Sequence, residues 1–184
     1  LLLLVPPKFL FPVLSGGKPG YNGVMQMITA DELRPYLKMP EICRLVEAAF
    51  IAQAKGQTQM PSKSYIHLPQ FDGDLRFMPA YLSPTQALGI KVVNVHPKNP
   101  ERGLPTVMAS ILLADAATGQ CYAVVDGTDI TAVRTGASGG LAAKVLSRAN
   151  ARILALIGAG RQAVEQLRAT LLYRDIQQVR VLSL

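Results

Sequence analysis

A run of glycine and small residues after a short apolar segment has the spacing of a phosphate-binding turn. The segment at residues 153–157 (ILALI) is followed by Gly158, Ala159, Gly160, Arg161, Gln162 and Ala163. Gly158 permits a tight turn, Gly160 lets the backbone approach a pyrophosphate, and Ala163 allows the next helix to pack closely on the strand. The N–H groups at the start of that helix would then face the phosphates. The pattern predicts dinucleotide binding, and a glycine-rich strand–helix turn of another α/β protein is the alternative.

Lys91 is a second residue that could do chemistry, because its predicted strand places it in the core. Residues 88–96 (LGIKVVNVH) form a β-rich run. If Val93 and Val95 face the core, alternation along the strand puts Lys91 on the same face. A lysine there is costly unless an anionic group meets it. The strand therefore predicts that an anionic group, of the protein or of a ligand, meets Lys91.

The run Arg134-Thr135-Gly136 is a third candidate, near the start of a predicted helix at residues 130–146. It offers a cation, a hydroxyl and open N–H groups, a combination that suits an anion. The helix is also rich in small residues, which allow another backbone or a ligand to approach closely. The alternative is a tightly packed, buried helix in which Arg134 forms a structural ion pair.

The elements that must position these candidates begin after residue 24. Thr29 is a predicted helix cap, with Glu32 completing a capping box. The next predicted helix opens at Pro40 and closes at Gly56; its apolar face comprises Ile42, Leu45, Val46, Ala49 and Phe50. Strand-like patterns at residues 63–67, 75–78, 88–96, 107–114 and 121–125 predict an antiparallel or mixed sheet.

The glycine turn is followed by the pattern of an amphipathic helix and then by another strand. The predicted apolar stripe of this helix comprises Val164, Leu167, Leu171 and Leu172. The apolar run at residues 179–184 stands where the next parallel strand is expected. The fold class is α/β, in which an N-terminal α+β domain precedes the first β-α-β unit of a Rossmann domain. Its predicted parts are a disordered extension (1–24), a substrate-binding and dimerisation domain (25–129), a connecting helix (130–150) and a partial Rossmann domain (151–184).

Composition excludes several classes of function. The 184 residues are 49% hydrophobic and 17% charged, which is typical of a globular protein with a sizeable core. The net charge of +7 comes from scattered basic residues without interleaved aromatics, so nucleic-acid binding is not expected. The apolar stretch that begins at residues 1–5 is interrupted by Pro6, Pro7 and Lys8, and it is too short and broken for a membrane span. Two distant cysteines, Cys43 and Cys121, match no metal spacing and are expected to be buried free thiols of a cytoplasmic protein.

Taken together, these segments resemble the ornithine cyclodeaminase/mu-crystallin family, which includes archaeal-type alanine dehydrogenases. The resemblance covers residues 25–184 in the family's order and spacing. It is carried by MPSKSYIHLP (60–69), GDLRFMPAYL (73–82), GIKVVNVHPKNPERGLPTVMASILLAD (89–115), VDGTDITAVRTGASGG (125–140) and IGAGRQA (157–163).

The resemblance implies a homodimer that binds NAD or NADP and a small amino or keto acid. Lys91 matches the lysine at the substrate carboxylate and reacting centre, and Arg134 matches the arginine that binds the carboxylate. Lys63, Arg76 and Met78 match positions of the substrate pocket. The implied cofactor-binding residues are Arg134, Thr135, Gly136, Gly158, Ala159, Gly160, Arg161, Gln162 and Ala163.

The activity implied is that of an oxidoreductase of the alanine dehydrogenase type. The alternatives are an ornithine cyclodeaminase, which forms proline and ammonia while recycling NAD, an imine reductase for a cyclic substrate, and a non-catalytic NADP-binding protein like mu-crystallin. Family chains extend well beyond this length, and their catalytic aspartate follows the part matched here. The chain is therefore expected to be truncated within the Rossmann domain, and the activity is expected of a full-length form.

Overall fold

A computed structural model describes residues 25–183, which form two compact units. The first unit comprises residues 25–36 and 51–129, and the second comprises residues 37–50 and 130–183. The extension predicted at residues 1–24 lies outside the described residues. Within residues 25–183, no helix is long and apolar enough to cross a membrane.

The first unit is built on a sheet of seven strands. The strands are β1 (Gln26–Ile28), β2 (Thr58–Gln59), β3 (Ser64–Leu68), β4 (Gly73–Leu82), β5 (Ala87–Val95), β6 (Val107–Asp115) and β7 (Cys121–Asp126). They lie in the order β1-β7-β6-β5-β4-β2, with β3 also paired to β4. β1 runs parallel to β7, and the other pairs are antiparallel. The antiparallel or mixed sheet predicted from the alternating segments is thus confirmed in its mixed form.

A short helix, α1 (Ala30–Leu33), follows β1 and begins with the predicted capping box. The Thr29 hydroxyl accepts from the Glu32 N–H at 3.4 Å, and the Glu32 carboxylate accepts from the Thr29 N–H at 2.8 Å. These bonds satisfy two donors that a helix start leaves open. The Thr29 N–H, together with the Thr29 hydroxyl that donates to the same carboxylate at 2.7 Å, lowers the pKa of the Glu32 carboxyl.

The second unit contains most of two long helices and a β-α-β unit. The helices are α2 (Met39–Ala54), whose last residues belong to the first unit, and α3 (Thr128–Leu146), whose first two residues do. The β-α-β unit consists of β8 (Ile153–Ile157), α4 (Arg161–Leu171) and β9 (Gln178–Leu182), with its strands parallel as predicted. The predicted apolar face of α2 is wrong at Phe50, which is 40% exposed.

The side of α4 that packs is not the side that its sequence pattern indicates. Val164, Leu171 and Leu172 are exposed, whereas Glu165, Ala169 and Thr170 are buried. The reason is a close contact with α3 across two of its glycines. A Cβ on Gly136 would lie 2.5 Å from the carbonyl group of Glu165, and a Cβ on Gly140 would lie 2.6 Å from the Cβ of Ala169. The helices approach most closely where α3 has no side chain.

Candidate functional site

Lys91 lies on the core face of the first unit's sheet, as the alternation predicted. It is 2% exposed and shares its face with Ala87, Gly89 and Val93, which are also buried. In the antiparallel register it stands between Met78 on β4 and Ile111 on β6. Directly opposite residues of a sheet share a face, so Met78 and Lys91 belong to one surface.

Arg76 extends the same surface toward the edge of the sheet, because it lies opposite Val93. Its Nε and Nη2 donate to the two carboxylate oxygens of Asp74 at 2.6 and 2.7 Å. This forked pair raises the pKa of the Arg76 guanidinium and lowers the pKa of the Asp74 carboxyl. The pair fixes one side of the guanidinium.

An aromatic ring brings Lys63 to this surface. Tyr65 on β3 lies opposite Arg76, whose Cζ is 5.4 Å from the tyrosine ring centroid. The Lys63 Nζ is 6.0 Å from the same centroid, and the ring of His67 stacks on Tyr65 at 5.7 Å. The predicted pocket residues Lys63, Arg76, Met78 and Lys91 thus belong to one region of the first unit.

Sequence reasoning missed Asp74 and Tyr65 as parts of this surface. The available signal was spacing: Asp74 stands two residues before Arg76 on a strand, so opposite charges share a face. Tyr65 could be found only from the register of β3 with β4. That register depends on the length of the turn between the two strands, which the sequence does not define. That turn is a single turn of 3₁₀ helix at Pro69–Phe71 followed by the left-handed residue Asp72.

Arg134 lies on α3 in the second unit with its guanidinium largely buried. Its Nε is buried and has no hydrogen-bond partner among the described residues. Burial lowers the pKa of the guanidinium. The alternative of a structural ion pair receives no support, because no carboxylate in the described part of the chain pairs with Arg134. A buried guanidinium with an unused donor is suited to an anionic ligand.

The two residues after Arg134 are engaged within the second unit. The Thr135 hydroxyl donates to the carbonyl of Thr131 at 2.7 Å. Toward a ligand, this hydroxyl can therefore act only as an acceptor. Gly136 is the site of close contact with Glu165 on α4. Helix packing thus explains the glycine at position 136, and its predicted contact with a cofactor phosphate stays a prediction.

The glycine turn between β8 and α4 forms an open cradle. Gly158 has a φ of +97°, which favours glycine, and its N–H donates to the carbonyl of Leu182 at 2.7 Å. Gly160 is the N-cap of α4 and provides no side-chain cap. A Cβ at either glycine would meet no protein atom within 4 Å. The space beside the helix start is therefore open, as a bound diphosphate requires.

The candidates are distributed over both units. Lys63, Arg76, Met78 and Lys91 belong to the first, whereas Arg134, Thr135, Gly136 and the turn at residues 158–163 belong to the second. Within residues 25–183, no three histidine, cysteine, aspartate or glutamate side chains come together as a metal site would require. Cys43 is buried and Cys121 half-buried, and both are free thiols.

Comparison with known proteins gives a consistent set of relatives. Residues 24–184 match the ornithine cyclodeaminase/mu-crystallin family. The chain is 45% identical over 154 residues to the alanine dehydrogenase of Archaeoglobus fulgidus, which covers 84% of the chain and 47% of that enzyme.

Two solved structures share the fold. One is the Δ1-pyrroline-2-carboxylate reductase of Thermococcus litoralis in complex with NADH and L-proline, with a TM-score of 0.84, 39% identity and coverage of 87% of this chain and 50% of that one. The other is an archaeal alanine dehydrogenase dimer with bound NAD, with a TM-score of 0.82, 43% identity and coverage of 86% and 48%. The chain spans about half the length of each relative. The matched sequence and the shared fold establish that the chain belongs to the ornithine cyclodeaminase/mu-crystallin family.

Proposed function

We propose that this chain provides substrate- and cofactor-binding parts of an NAD(P)-dependent oxidoreductase of the alanine dehydrogenase type. The reaction acts on the carbon–nitrogen bond at the α-carbon of a small amino acid or of its imine. The observation that carries the proposal is the nearly complete burial of Lys91 on a sheet face shared with Met78 and Arg76. The identity of 45% to an archaeal alanine dehydrogenase supports the choice of reaction.

Each predicted residue has a role that its chemistry allows. Arg134 has a buried, unused donor for the substrate carboxylate, and a guanidinium can bind a carboxylate through two parallel hydrogen bonds. Lys91 holds or transfers a proton at the reacting nitrogen or at the carbonyl oxygen of the keto acid. Arg76, oriented by Asp74, and Lys63 add positive charge that favours an anionic substrate.

The cofactor proposed is NAD or NADP. The turn at Gly158 and Gly160, with the N-terminus of α4, would hold its diphosphate, because the space there is open and the helix start has no side-chain cap. When bound, the nicotinamide supplies the hydride transfer.

A reductase of a cyclic imine is the second candidate reaction. It is favoured by the 39% identity to the Thermococcus litoralis reductase that binds NADH and L-proline. An ornithine cyclodeaminase and a non-catalytic NADP-binding protein complete the alternatives within the family. The homodimer is also proposed, on the strength of the dimeric archaeal relative.

The cofactor part is tested by fluorescence titration with NADH and NADPH. Gly160 has a φ of −73°, and a Cβ there would meet no protein atom within 4 Å. Gly160→Ala should therefore leave the fold intact while it narrows the space for the diphosphate. Saturable binding by the wild type that weakens in Gly160→Ala supports the proposal. Equal cofactor affinity in the wild type and in Gly160→Ala would show that the diphosphate does not bind at this turn.

The reaction is tested by nicotinamide absorbance with three substrate sets. Pyruvate plus ammonia reports an alanine dehydrogenase, Δ1-pyrroline-2-carboxylate reports an imine reductase, and ornithine that releases ammonia without net absorbance change reports a cyclodeaminase. In a protein that also carries the part of the relatives that this chain does not span, binding without turnover of any set identifies the non-catalytic alternative. Lys91→Met should abolish turnover, and the matched control Lys55→Met, at an exposed position just after α2, should not. Full activity in Lys91→Met would overturn the role of Lys91.

A further inference from the structure

The first unit contains a cavity on the sheet face opposite Lys91. Asn94 and Met108 form a cross-strand pair of β5 and β6 and line this cavity. Each is an odd number of residues from Lys91 or Ile111 on its strand, so their side chains point to the other face. The cavity has a volume of about 340 Å³. Two loops contribute the rest of the lining, at residues 70–71 and within residues 96–104.

The wall of the cavity is held in place by contacts within the chain. The ring of His96 lies against Gly73, where a Cβ would come within 2.5 Å of the ring atoms. The His96 N–H donates to the carbonyl of Thr106 at 2.8 Å. Buried Asn99 donates from its side-chain amide to the carbonyl of Pro105 at 3.0 Å. The loop is therefore closed by its own hydrogen bonds around the cavity.

The charge of the cavity is positive. Lys98 and Arg102 line it, and neither pairs with a carboxylate in the part of the chain that the structure describes. The lining includes no carboxylate; Glu101, in the same 3₁₀ turn as Arg102, does not line the cavity. Unpaired cations that line a concave surface attract anions.

The cavity also has an apolar part. Met108 contributes from the sheet, and Phe71 and Leu104 contribute from the loops. Phe71 is 56% exposed and Leu104 is 45% exposed, so both can still bury apolar area against a ligand. An inorganic anion would use only the cations, whereas an organic acid would also cover these side chains.

We propose that this cavity is a binding site for a small organic acid, in which Lys98 and Arg102 bind the carboxylate and Met108, Phe71 and Leu104 contact the hydrocarbon body. The volume suits a ligand of the size of an aryl-alkyl carboxylate. The site is separate from the Lys91 surface and does not depend on the proposed reaction.

The chain offers signals that report each face separately. It has six methionines and two histidines. Met108 and His96 line the cavity, whereas Met78 and His67 belong to the Lys91 surface. Methionine-methyl and histidine NMR spectra therefore show which face a ligand occupies. A substrate of the proposed reaction should shift the methyl resonance of Met78, whereas a ligand of the cavity should shift that of Met108. Failure of the proposed function and failure of this site are therefore distinguishable.

The probes are 3-phenylpropionate, its neutral analogue 3-phenylpropanol and inorganic phosphate. Phenylpropionate should shift Met108 and His96 saturably while Met78 and His67 stay in place. Phenylpropanol and phosphate should bind at least about fivefold more weakly, because each lacks one half of the interaction. The double variant Lys98→Gln and Arg102→Gln should also weaken phenylpropionate binding by about fivefold or more.

A matched control is Lys55→Gln with Arg44→Gln, which removes the same two charges at exposed positions outside the cavity and should leave the affinity unchanged. Absence of a saturable Met108 shift would overturn the proposal, as would unchanged affinity in the cavity double variant. Equal binding of phosphate would reduce the site to one for an anion only, and equal binding of phenylpropanol would reduce it to an apolar groove; either contradicts the class of ligand proposed.

Discussion

Substitution of Gly136 by alanine is the sharpest test of how the second unit is held together. The new Cβ would lie 2.5 Å from the carbonyl carbon and oxygen of Glu165. The optimal separation between such atoms is about 3.5 Å or more, so α4 would have to move away from α3 by about 1 Å. Because the obstacle is backbone, no side-chain rotation relieves it.

The expected magnitude follows from two opposing terms. Overpacking of this kind costs about 1–3 kcal/mol. Alanine in place of glycine within a helix returns about 1 kcal/mol. We expect Gly136→Ala to lower the free energy of unfolding by up to about 2 kcal/mol. In a chain of this size each kcal/mol corresponds to a fall in Tm of about 2–4 °C.

The matched control is Gly139→Ala on the same helix. There a Cβ would lie 3.1 Å from the side-chain oxygen of Gln166, and a flexible side chain can move. Gly139→Ala should be neutral or stabilising, by up to about 1 kcal/mol. Thermal unfolding followed by circular dichroism without cofactor measures both variants. A Tm for Gly136→Ala equal to that of Gly139→Ala would refute the packing role. Unchanged stability with weaker NADH binding would instead indicate a direct contact of Gly136 with the cofactor.

Three further predictions concern the charged residues. Lys91→Met should lower turnover about 100-fold or more, the scale of a lost proton-transfer group, without a large change in Tm. Arg134→Leu should raise the apparent KM for the amino acid at least about tenfold. It should also raise the Tm of the ligand-free protein, because it removes the buried Nε donor that has no hydrogen-bond partner among the described residues; a fall in Tm would contradict this. Arg76 holds the pKa of the Asp74 carboxyl below its ordinary value. The pair therefore contributes its full stability at any pH above the ordinary carboxyl pKa, and this contribution is lost as the pH falls through the lowered pKa. Asp74→Asn should flatten this acid limb of a plot of Tm against pH, and an unchanged limb would show that Asp74 does not contribute.

The sheet and the face on which Lys91 lies could be predicted because alternation is a local property of the sequence. Lys91 and Val93 stand two residues apart, and any strand puts them on one face. The position of Gly158 was also predictable, since a turn of this kind requires a φ that other residues avoid. What alternation could not supply was register, and the partnership of Tyr65 with Arg76 depends on register alone.

The buried face of α4 was predicted wrongly. An apolar stripe indicates which face of a helix is hydrophobic, but it does not indicate against which face a neighbouring helix packs. Val164 and Leu171 stay exposed, as do Ile157 on β8 and Val181 on β9. Parallel strands of this composition are usually covered on both faces. The face that does pack is selected by α3, whose glycines admit the backbone of α4.

This contact also connects the two elements of the second unit that are proposed to bind anions. Gly136 stands two residues after Arg134 on α3, and Glu165, which it touches, stands in the second turn of α4. The start of α4 is the helix end proposed to hold the diphosphate. A displacement of α4 at Gly136 therefore changes the position of that helix start relative to the Arg134 guanidinium. We expect Gly136→Ala to weaken the binding of cofactor and of carboxylate together, whereas Gly160→Ala, which leaves the helix contact intact, should weaken cofactor binding alone. Equal loss of carboxylate binding in both variants would show that the two elements are coupled by something other than this contact.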